Sequence, residues 1–201
     1  MKVTILIITL LLPILTFSQT KYYDRNDKEI TEAEFINKSL ALGPMELKVF
    51  NDSLDTAKIV SPPYEYGNLD SDEYLGELSQ HLKLNLDRNK PTVIIYYPGK
   101  DFCNATLSAM AKIKYEWNKE LMKKANKITP TTFLFIYKSK EGLAGQKETW
   151  YKDPKAMVEH MFFKYHYPCS SYVIIYKDKY YSYFGEFTQD GVLYNLQEII
   201  R

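Results

Sequence analysis

Hydrophobic and polar residues alternate over short runs in the first part of the chain, a pattern typical of small β-hairpins. Polar turns separate two pairs of such runs, and the spacing of Thr31 and Glu34 between the pairs predicts a helix with a capping box. A stretch with prolines and a glycine, residues 61–67, then interrupts the pattern and marks a boundary. The predicted elements are a hairpin of residues 21–23 and 29–30, a helix to Leu40, and a hairpin of residues 45–50 and 56–60.

After residue 70 the pattern is more regular, and helical periodicity alternates with short apolar runs. Leucines at spacings of three and four follow a capping Asp70, and the run 132–137 is almost continuously apolar, as in a strand covered on both faces by helices. A polar loop, residues 139–152, breaks this second half. The predicted order is a helix from Asp70, strand 92–97, helix 103–126, strand 132–137, helix 153–165, strands 172–176 and 180–184, and a last helix capped by Asp190.

This order of elements predicts an α/β fold. The central strands 92–97 and 132–137 are expected to be parallel, and the hairpin 172–184 is expected to form an antiparallel edge. A strand from residues 56–60, which precedes these elements in the chain, is expected to pair with this sheet. The rest of the segment before Asp70 is expected to pack against the domain or to cover a sheet edge.

The first 18 residues have the pattern of a cleaved secretory signal. Lys2 precedes an apolar run, residues 3–15, that is too short to span a bilayer comfortably, and small residues follow it. We therefore expect a mature chain that starts at Gln19, is periplasmic or secreted, and has no stable membrane insertion after cleavage. An oxidised cysteine pair is chemically permitted in that compartment.

Charge and composition exclude several classes of function. The chain has 26 basic and 25 acidic residues, and because Lys2 lies in the predicted signal, the mature chain is formally neutral. Charges of both signs are mixed along the sequence, so no basic patch for nucleic acid is expected. The 18 tyrosines fall mostly in strand-like runs and are interpreted as half-buried sheet residues, with a ligand platform as the alternative. No Gly-rich phosphate loop or Ser/His/Asp set is visible.

Cys103 and Cys169 are the two cysteines of the chain and its main candidates for chemistry. Cys103 follows the predicted strand 92–97 and a short turn, and it begins a helical pattern. A thiol at a helix N-terminus faces unpaired backbone N–H groups and the positive end of the helix dipole, which favour the thiolate. Lys100 would support the thiolate and Asp101 would oppose it. Cys103 is therefore a candidate nucleophile, with a purely structural role as the alternative.

This arrangement of a strand, a turn and a cysteine at the start of a helix resembles the thioredoxin superfamily over residues 70–201. In that superfamily the junction carries Cys-x-x-Cys, whose first cysteine attacks disulfides and whose second resolves the mixed disulfide. The matching residues are Cys103-Asn104-Ala105-Thr106, so Thr106 takes the resolving position. The resemblance implies an α/β three-layer sandwich with a mixed central sheet, preceded by a small hairpin-rich segment. The implied domains are a signal peptide 1–18, an N-terminal extension 19–66 and a thioredoxin-like domain 67–201.

The resemblance also implies a partner for Cys103. The superfamily places a cis-proline beside the active thiol, and the corresponding position here is Ser170 or Ser171, close to Pro168. Cys169 would then lie within the Cα separation of roughly 5 to 6 Å that a disulfide needs. We therefore expect a Cys103–Cys169 disulfide in the oxidised protein. Thr106 either bonds the Cys103 sulfur or is an ordinary first-turn threonine bonded to the backbone.

Two functions follow from the resemblance. The first is thiol–disulfide exchange through Cys103, with Cys169 as an unusual partner, on thiols or disulfides of other exported proteins and with no organic cofactor. The second is a non-catalytic binding or structural module that the disulfide stabilises and that has an unknown protein partner. His166 could complete a soft-metal trio with the two cysteines, but a helix-terminal histidine that interacts with the dipole is favoured, so no metal is expected.

Overall fold

The computed structural model describes residues 20–43, 45–51, 54–105 and 111–201. These residues form a mixed α/β fold with two mixed sheets and five α-helices. The strands are β1 (Lys21–Tyr23), β2 (Glu29–Ile30), β3 (Leu47–Asn51), β4 (Thr56–Val60), β5 (Tyr64–Asn68), β6 (Thr92–Tyr97), β7 (Thr132–Tyr137), β8 (Trp150–Lys152), β9 (Ser171–Tyr176) and β10 (Lys179–Tyr183). The helices are α1 (Glu32–Leu40), α2 (Ser71–Leu82), α3 (Ala111–Ile128), α4 (Met157–Phe162) and α5 (Gln189–Ile200).

The predicted signal peptide, residues 1–18, lies outside the described residues. Within the described ranges, none of the helices combines the length and the apolar character needed to cross a membrane.

The smaller sheet has the strand order β2-β1-β4-β3 and contains both predicted N-terminal hairpins. Parallel pairing of β1 with β4 joins the two hairpins, a long-range contact that no local pattern shows. Helix α1 begins with the predicted capping box, in which Thr31 and Glu34 bond to each other's backbone N–H. Phe35 of this helix is buried against Ala57 and Ile59 of β4, so α1 packs on the sheet.

The larger sheet has the strand order β5-β10-β9-β6-β7-β8. Strands β6 and β7 are parallel, as expected, and β9 pairs antiparallel with β6 on its other side. Strand β10 pairs antiparallel with both β9 and β5. The hairpin of β9 and β10 is therefore internal, and β5 forms the edge that the hairpin was expected to form.

Helices cover both faces of the larger sheet. Every residue of β6 is buried, and alternate residues of the strand point to opposite faces. Ile94 and Tyr96 pack in one core cluster with α2 and α4, whereas Val93 and Ile95 pack in another with α3 and α5. This two-sided burial explains the almost continuous apolar runs of the central strands.

Several predicted elements differ from the observed ones. The 56–60 strand was expected to pair with the larger sheet. This was wrong, because β4 pairs with β1 and β3 in the smaller sheet. The polar loop 139–152 contains β8, which pairs parallel with the end of β7. The cap of α5 is Thr188, whose hydroxyl accepts from the Gly191 N–H, and not Asp190, which lies inside the helix. The predicted helix 153–165 is a short 3-10 turn followed by α4.

Cys103 does not lie in a helix. Residues 102–105 form a turn, and the described part of α3 begins at Ala111. The predicted start of the helix at Cys103 is a turn in the structure, and residues 106–110, which would join this turn to α3, lie outside the described residues. Asp101 organises this turn as a helix N-cap does, because its side chain accepts from the backbone N–H groups of Cys103 at 2.8 Å and Asn104 at 2.9 Å.

Candidate functional site

Cys103 and Cys169 form a disulfide whose Cα atoms are 5.1 Å apart, although 66 positions separate them in the chain. The larger sheet brings them together. Cys103 follows β6 and Cys169 precedes β9, and these strands are antiparallel neighbours in which Tyr96 lies opposite Ser171. The last residues of β6 and the first residues of β9 therefore lie side by side at the same end of the sheet. The disulfide that the resemblance implied is confirmed.

The carboxylate of Asp101 holds both sides of the disulfide. Its Oδ1 accepts from the backbone N–H groups of Cys103 and Asn104 at 2.8 and 2.9 Å. Its Oδ2 accepts from the backbone N–H of Cys169 at 2.9 Å and lies 3.2 Å from Nε2 of His166. The Asp101 side chain is only 10% exposed, so these bonds form in a largely dry environment.

Asn104 also bonds the backbone around the disulfide, and we call Asp101 and Asn104 together the frame of the disulfide. The Asn104 side chain is buried; Oδ1 accepts from the Asp101 N–H at 2.8 Å, and Nδ2 donates to the carbonyl groups of Gly99 at 2.8 Å and Cys169 at 3.1 Å. The Cys169 N–H is thus bound by Asp101 and its carbonyl by Asn104. These two bonds help to hold Cys169 at a φ of +68°, a left-handed conformation that side chains other than glycine rarely adopt.

His166 does not join the two cysteines. Its ring bonds the Asp101 carboxylate, and its backbone N–H donates to the carbonyl of Phe50 at 2.8 Å, where it forms an isolated bridge to β3. The predicted alternative, an interaction with the dipole of its own helix, also differs from this arrangement, because α4 ends at Phe162. His166 therefore connects the smaller sheet to the carboxylate that holds the disulfide.

A cavity of about 340 Å³ adjoins the disulfide. Cys103, Cys169 and Ser170 form part of its wall, and Asn104 lines it as well. Cys103 is exposed and Cys169 half-buried, so solvent reaches the disulfide. Most of the remaining wall is aromatic or aliphatic, and its larger side chains are Ile95, Tyr97, Ile113, Trp117, Trp150 and Phe187.

Two charged residues also line this cavity, Lys114 and Glu186. The Lys114 ammonium lies 4.3 Å from the centre of the Trp117 ring and 5.7 Å from that of Phe187, distances typical of cation–π contacts. Burial lowers the pKa of Lys114, and the carboxylates of Glu148 and Glu186 act in the opposite direction. The cavity thus combines an apolar wall, one partly desolvated cation and an exposed carboxylate.

The structure brings together two of the three predicted site residues, Cys103 and Cys169. Thr106 lies outside the described residues. Sequence reasoning missed Asn104 as a structural residue and assigned Asp101 only an electrostatic effect. A signal for both was present, because an aspartate and an asparagine three residues apart can bond each other's backbone, as in a capping box.

Comparisons with models of protein families, with curated proteins and with solved structures find no match for this chain. The function must therefore be inferred from the geometry of the site.

Proposed function

We propose that this chain is an exported, thioredoxin-like protein that exchanges its Cys103–Cys169 disulfide with the thiols of other exported proteins. One observation carries the proposal: the disulfide is open to solvent and forms part of the wall of an aromatic cavity. A disulfide that serves only as a staple has no need of an adjoining apolar cavity, whereas an exchange partner must be bound beside the sulfur that it attacks.

The arrangement of strands and helices supports a thioredoxin-like three-layer sandwich. The central order β10-β9-β6-β7 has β6 parallel to β7 and antiparallel to β9, and helices pack on both faces. Cys103 lies in the connection between β6 and α3, which is where the superfamily carries its nucleophile. Cys169 lies directly before β9, in the segment where the superfamily carries its proline.

The exchange proceeds in two balanced steps. A client thiolate attacks Sγ of Cys103, which belongs to the more exposed residue of the pair; a mixed disulfide forms, and Cys169 leaves as a thiolate. A second client thiolate then attacks the client sulfur of the mixed disulfide and releases Cys103 as a thiolate. The client gains a disulfide, and the protein is reduced by two electrons. A second disulfide-containing protein outside the cytoplasm would return it to the disulfide form by accepting the two electrons and becoming a dithiol itself.

Exposed apolar groups beside Cys103 support docking of a client segment. Phe102 is 88% exposed and directly precedes the cysteine, and Ile113, which lines the cavity, is 65% exposed. Large apolar side chains that remain exposed next to a reactive group indicate a contact surface for a partner.

A second candidate function is a non-catalytic thioredoxin-like module in which the disulfide is permanent. The observation that favours it is the frame around Cys169, whose N–H and carbonyl groups are both bound by Asp101 and Asn104. In addition, the nearby Asp101 carboxylate disfavours thiolates and so opposes reduction. The reduction potential separates the two functions. A value of roughly −120 to −270 mV is typical of an exchange protein, and a value below about −300 mV is typical of a structural bridge.

Matched serine variants test the exchange function directly. Cys169→Ser leaves Cys103 as a free thiol. We expect this variant to form a persistent mixed disulfide with a small disulfide-containing peptide, and mass spectrometry detects the adduct. Cys103→Ser leaves the half-buried Cys169, which should react roughly 10-fold more slowly because access limits exchange. The wild-type disulfide should oxidise a dithiol peptide, and the double serine variant is the control. Equal, slow reaction of both single variants, together with a potential below about −300 mV, would contradict the proposal and favour the permanent bridge.

A further inference from the structure

Three groups that can bind a metal ion lie together at the disulfide. The sulfur atoms of Cys103 and Cys169 and a carboxylate oxygen of Glu186 are all within 4.8 Å of one another. Around a tetrahedral Zn²⁺ ion, with bonds of about 2.3 Å to sulfur and about 2.1 Å to oxygen, neighbouring ligand atoms are roughly 3.5 to 3.8 Å apart. The three atoms are therefore close enough for one ion to contact all of them once the sulfurs are no longer bonded to each other.

We propose that the reduced form of this protein binds one Zn²⁺ ion through the thiolates of Cys103 and Cys169 and the carboxylate of Glu186, with water in the fourth position. The oxidised form does not bind it, because the thiolate, and not a disulfide sulfur, is the metal ligand. The site is therefore controlled by the redox state of the pair. This inference requires a disulfide that can be reduced and does not depend on exchange with a client.

The third proposed ligand is Glu186, whereas the sequence suggested His166. His166 is the histidine closest to Cys169 in the chain, but its Nε2 atom lies 3.2 Å from Asp101 and does not belong to the cluster. Glu186 follows β10 and lines the same cavity as the two cysteines. Because it is exposed, its carboxylate can rotate toward an ion without breaking a hydrogen bond among those described.

The charges of the site suit a divalent cation. Two thiolates, one carboxylate and Zn²⁺ give a net charge of −1, and the Lys114 ammonium, which lines the same cavity and interacts with Glu186, offsets it. Thiolates select soft or borderline ions, and a carboxylate ligand together with water is common in open Zn²⁺ sites. Each thiol loses its proton to the buffer when the ion binds.

Cobalt titration of the reduced full chain tests the site. A water-soluble phosphine reduces the disulfide to two thiols, is itself oxidised to the phosphine oxide with oxygen from water, and is then removed without air. Co²⁺ alone should bind in a 1:1 ratio and give a sulfur-to-cobalt charge-transfer band, which Zn²⁺ should remove by displacement. The oxidised protein should give no such band. Absence of the band in folded reduced protein, or an equal band in oxidised protein, overturns the proposal.

Glu186→Gln decides whether the carboxylate is a ligand. We expect it to weaken Co²⁺ binding by at least the roughly 10-fold to 100-fold that loss of an outer-shell partner typically costs. Glu198→Gln is the matched control, since Glu198 is an exposed carboxylate on α5 that pairs with Arg201, and it should bind like wild type. Equal affinity of Glu186→Gln and wild type overturns the proposed ligand set. Far-ultraviolet circular dichroism accompanies each titration: if reduction unfolds the chain, Zn²⁺ should restore the native spectrum, and failure to do so also overturns the proposal.

Discussion

A single carboxylate organises the disulfide loop at the scale of individual residues. Asp101 accepts from the N–H groups of Cys103 and Cys169, so it fixes the backbone on both sides of the sulfur–sulfur bond. A carboxylate forms such bonds more strongly than a neutral acceptor does. The same negative charge disfavours both thiolates, so Asp101 stabilises the oxidised form by geometry and by electrostatics.

Adjacent tyrosines in β6 provide a prediction at this scale. Tyr96 and Tyr97 are both buried, but the Tyr96 hydroxyl has no hydrogen-bond partner among the described residues, whereas the Tyr97 hydroxyl donates to the Glu141 carbonyl at 2.7 Å. Tyr96→Phe removes an unpaired buried polar atom and should raise the free energy of unfolding by about 1 kcal/mol. Tyr97→Phe should lower it by about 1 kcal/mol, since it breaks a bond and leaves a carbonyl unpaired. Urea denaturation at neutral pH measures both, and a loss of stability in Tyr96→Phe would show that its hydroxyl has a partner.

At the scale of elements, helices and strands with strong periodicity were predictable, and short or irregular ones were not. The runs that became β6, β7 and β9 are apolar enough to be recognised without further information. Strand β8 has only three residues and lies in a polar loop, so no apolar run marks it. It forms a strand because it pairs with β7. The turn of residues 102–105 was not predicted, because helical periodicity in the residues that follow suggested a helix from Cys103 onward.

The capping of α5 gives a prediction for an element. Thr188→Ala removes the hydroxyl that accepts from the Gly191 N–H at 3.1 Å and should lower the free energy of unfolding by about 1 kcal/mol. Asp190→Asn is the matched comparison: it removes only a charge near the positive helix end, which is worth a few tenths of a kcal/mol at an exposed position. Thermal and urea unfolding of the two variants should rank them in this order. The reverse order would identify Asp190 as the cap.

At the scale of the whole molecule, the N-terminal sheet is attached close to the disulfide. The segment between α4 and Cys169 bonds to β3 through the His166 N–H and the Phe50 carbonyl, and through the Asn51 side chain and the Lys164 carbonyl at 2.6 Å. Val49 of β3 is buried in the core cluster of the larger sheet. The smaller sheet thus supports the loop that carries Cys169, which gives a physical role to residues whose sequence showed no chemistry.

The abundance of tyrosine predicts a distinctive response to alkaline pH. Burial raises the pKa of Tyr97 and Tyr181 to about 12, and it also raises the pKa of Tyr172 and Tyr167. These groups lose their protons near pH 10 in the unfolded chain but not in the folded one, so their contribution to stability is complete below pH 10 and is lost as the pH rises towards 12. We expect the urea midpoint to fall steeply above pH 10, together with a rise in tyrosinate absorbance.

A pair of variants separates this effect from general alkaline damage. Tyr181→Phe should make the fall in the urea midpoint above pH 10 less steep, because one shifted group is removed. Tyr66→Phe is the control, since Tyr66 is 73% exposed, and its profile should match wild type. Identical profiles for all three proteins would show that burial of Tyr181 does not control the response.

The sequence alone determined much of the local structure of this protein: helices α1 and α2, strands β6, β7 and β9, the N-terminal hairpins and the capping box at Thr31 follow from side-chain periodicity and short-range hydrogen bonds. It also named the two cysteines, and a resemblance suggested that they pair. Only the tertiary structure decided that β5 forms an edge of the larger sheet, that Asp101 and Asn104 hold the backbone around the disulfide, and that Glu186 and Lys114 share its cavity. Contacts between distant parts of a chain depend on the order and direction in which strands pair, and because periodicity encodes only which face of an element is buried, it does not specify these contacts.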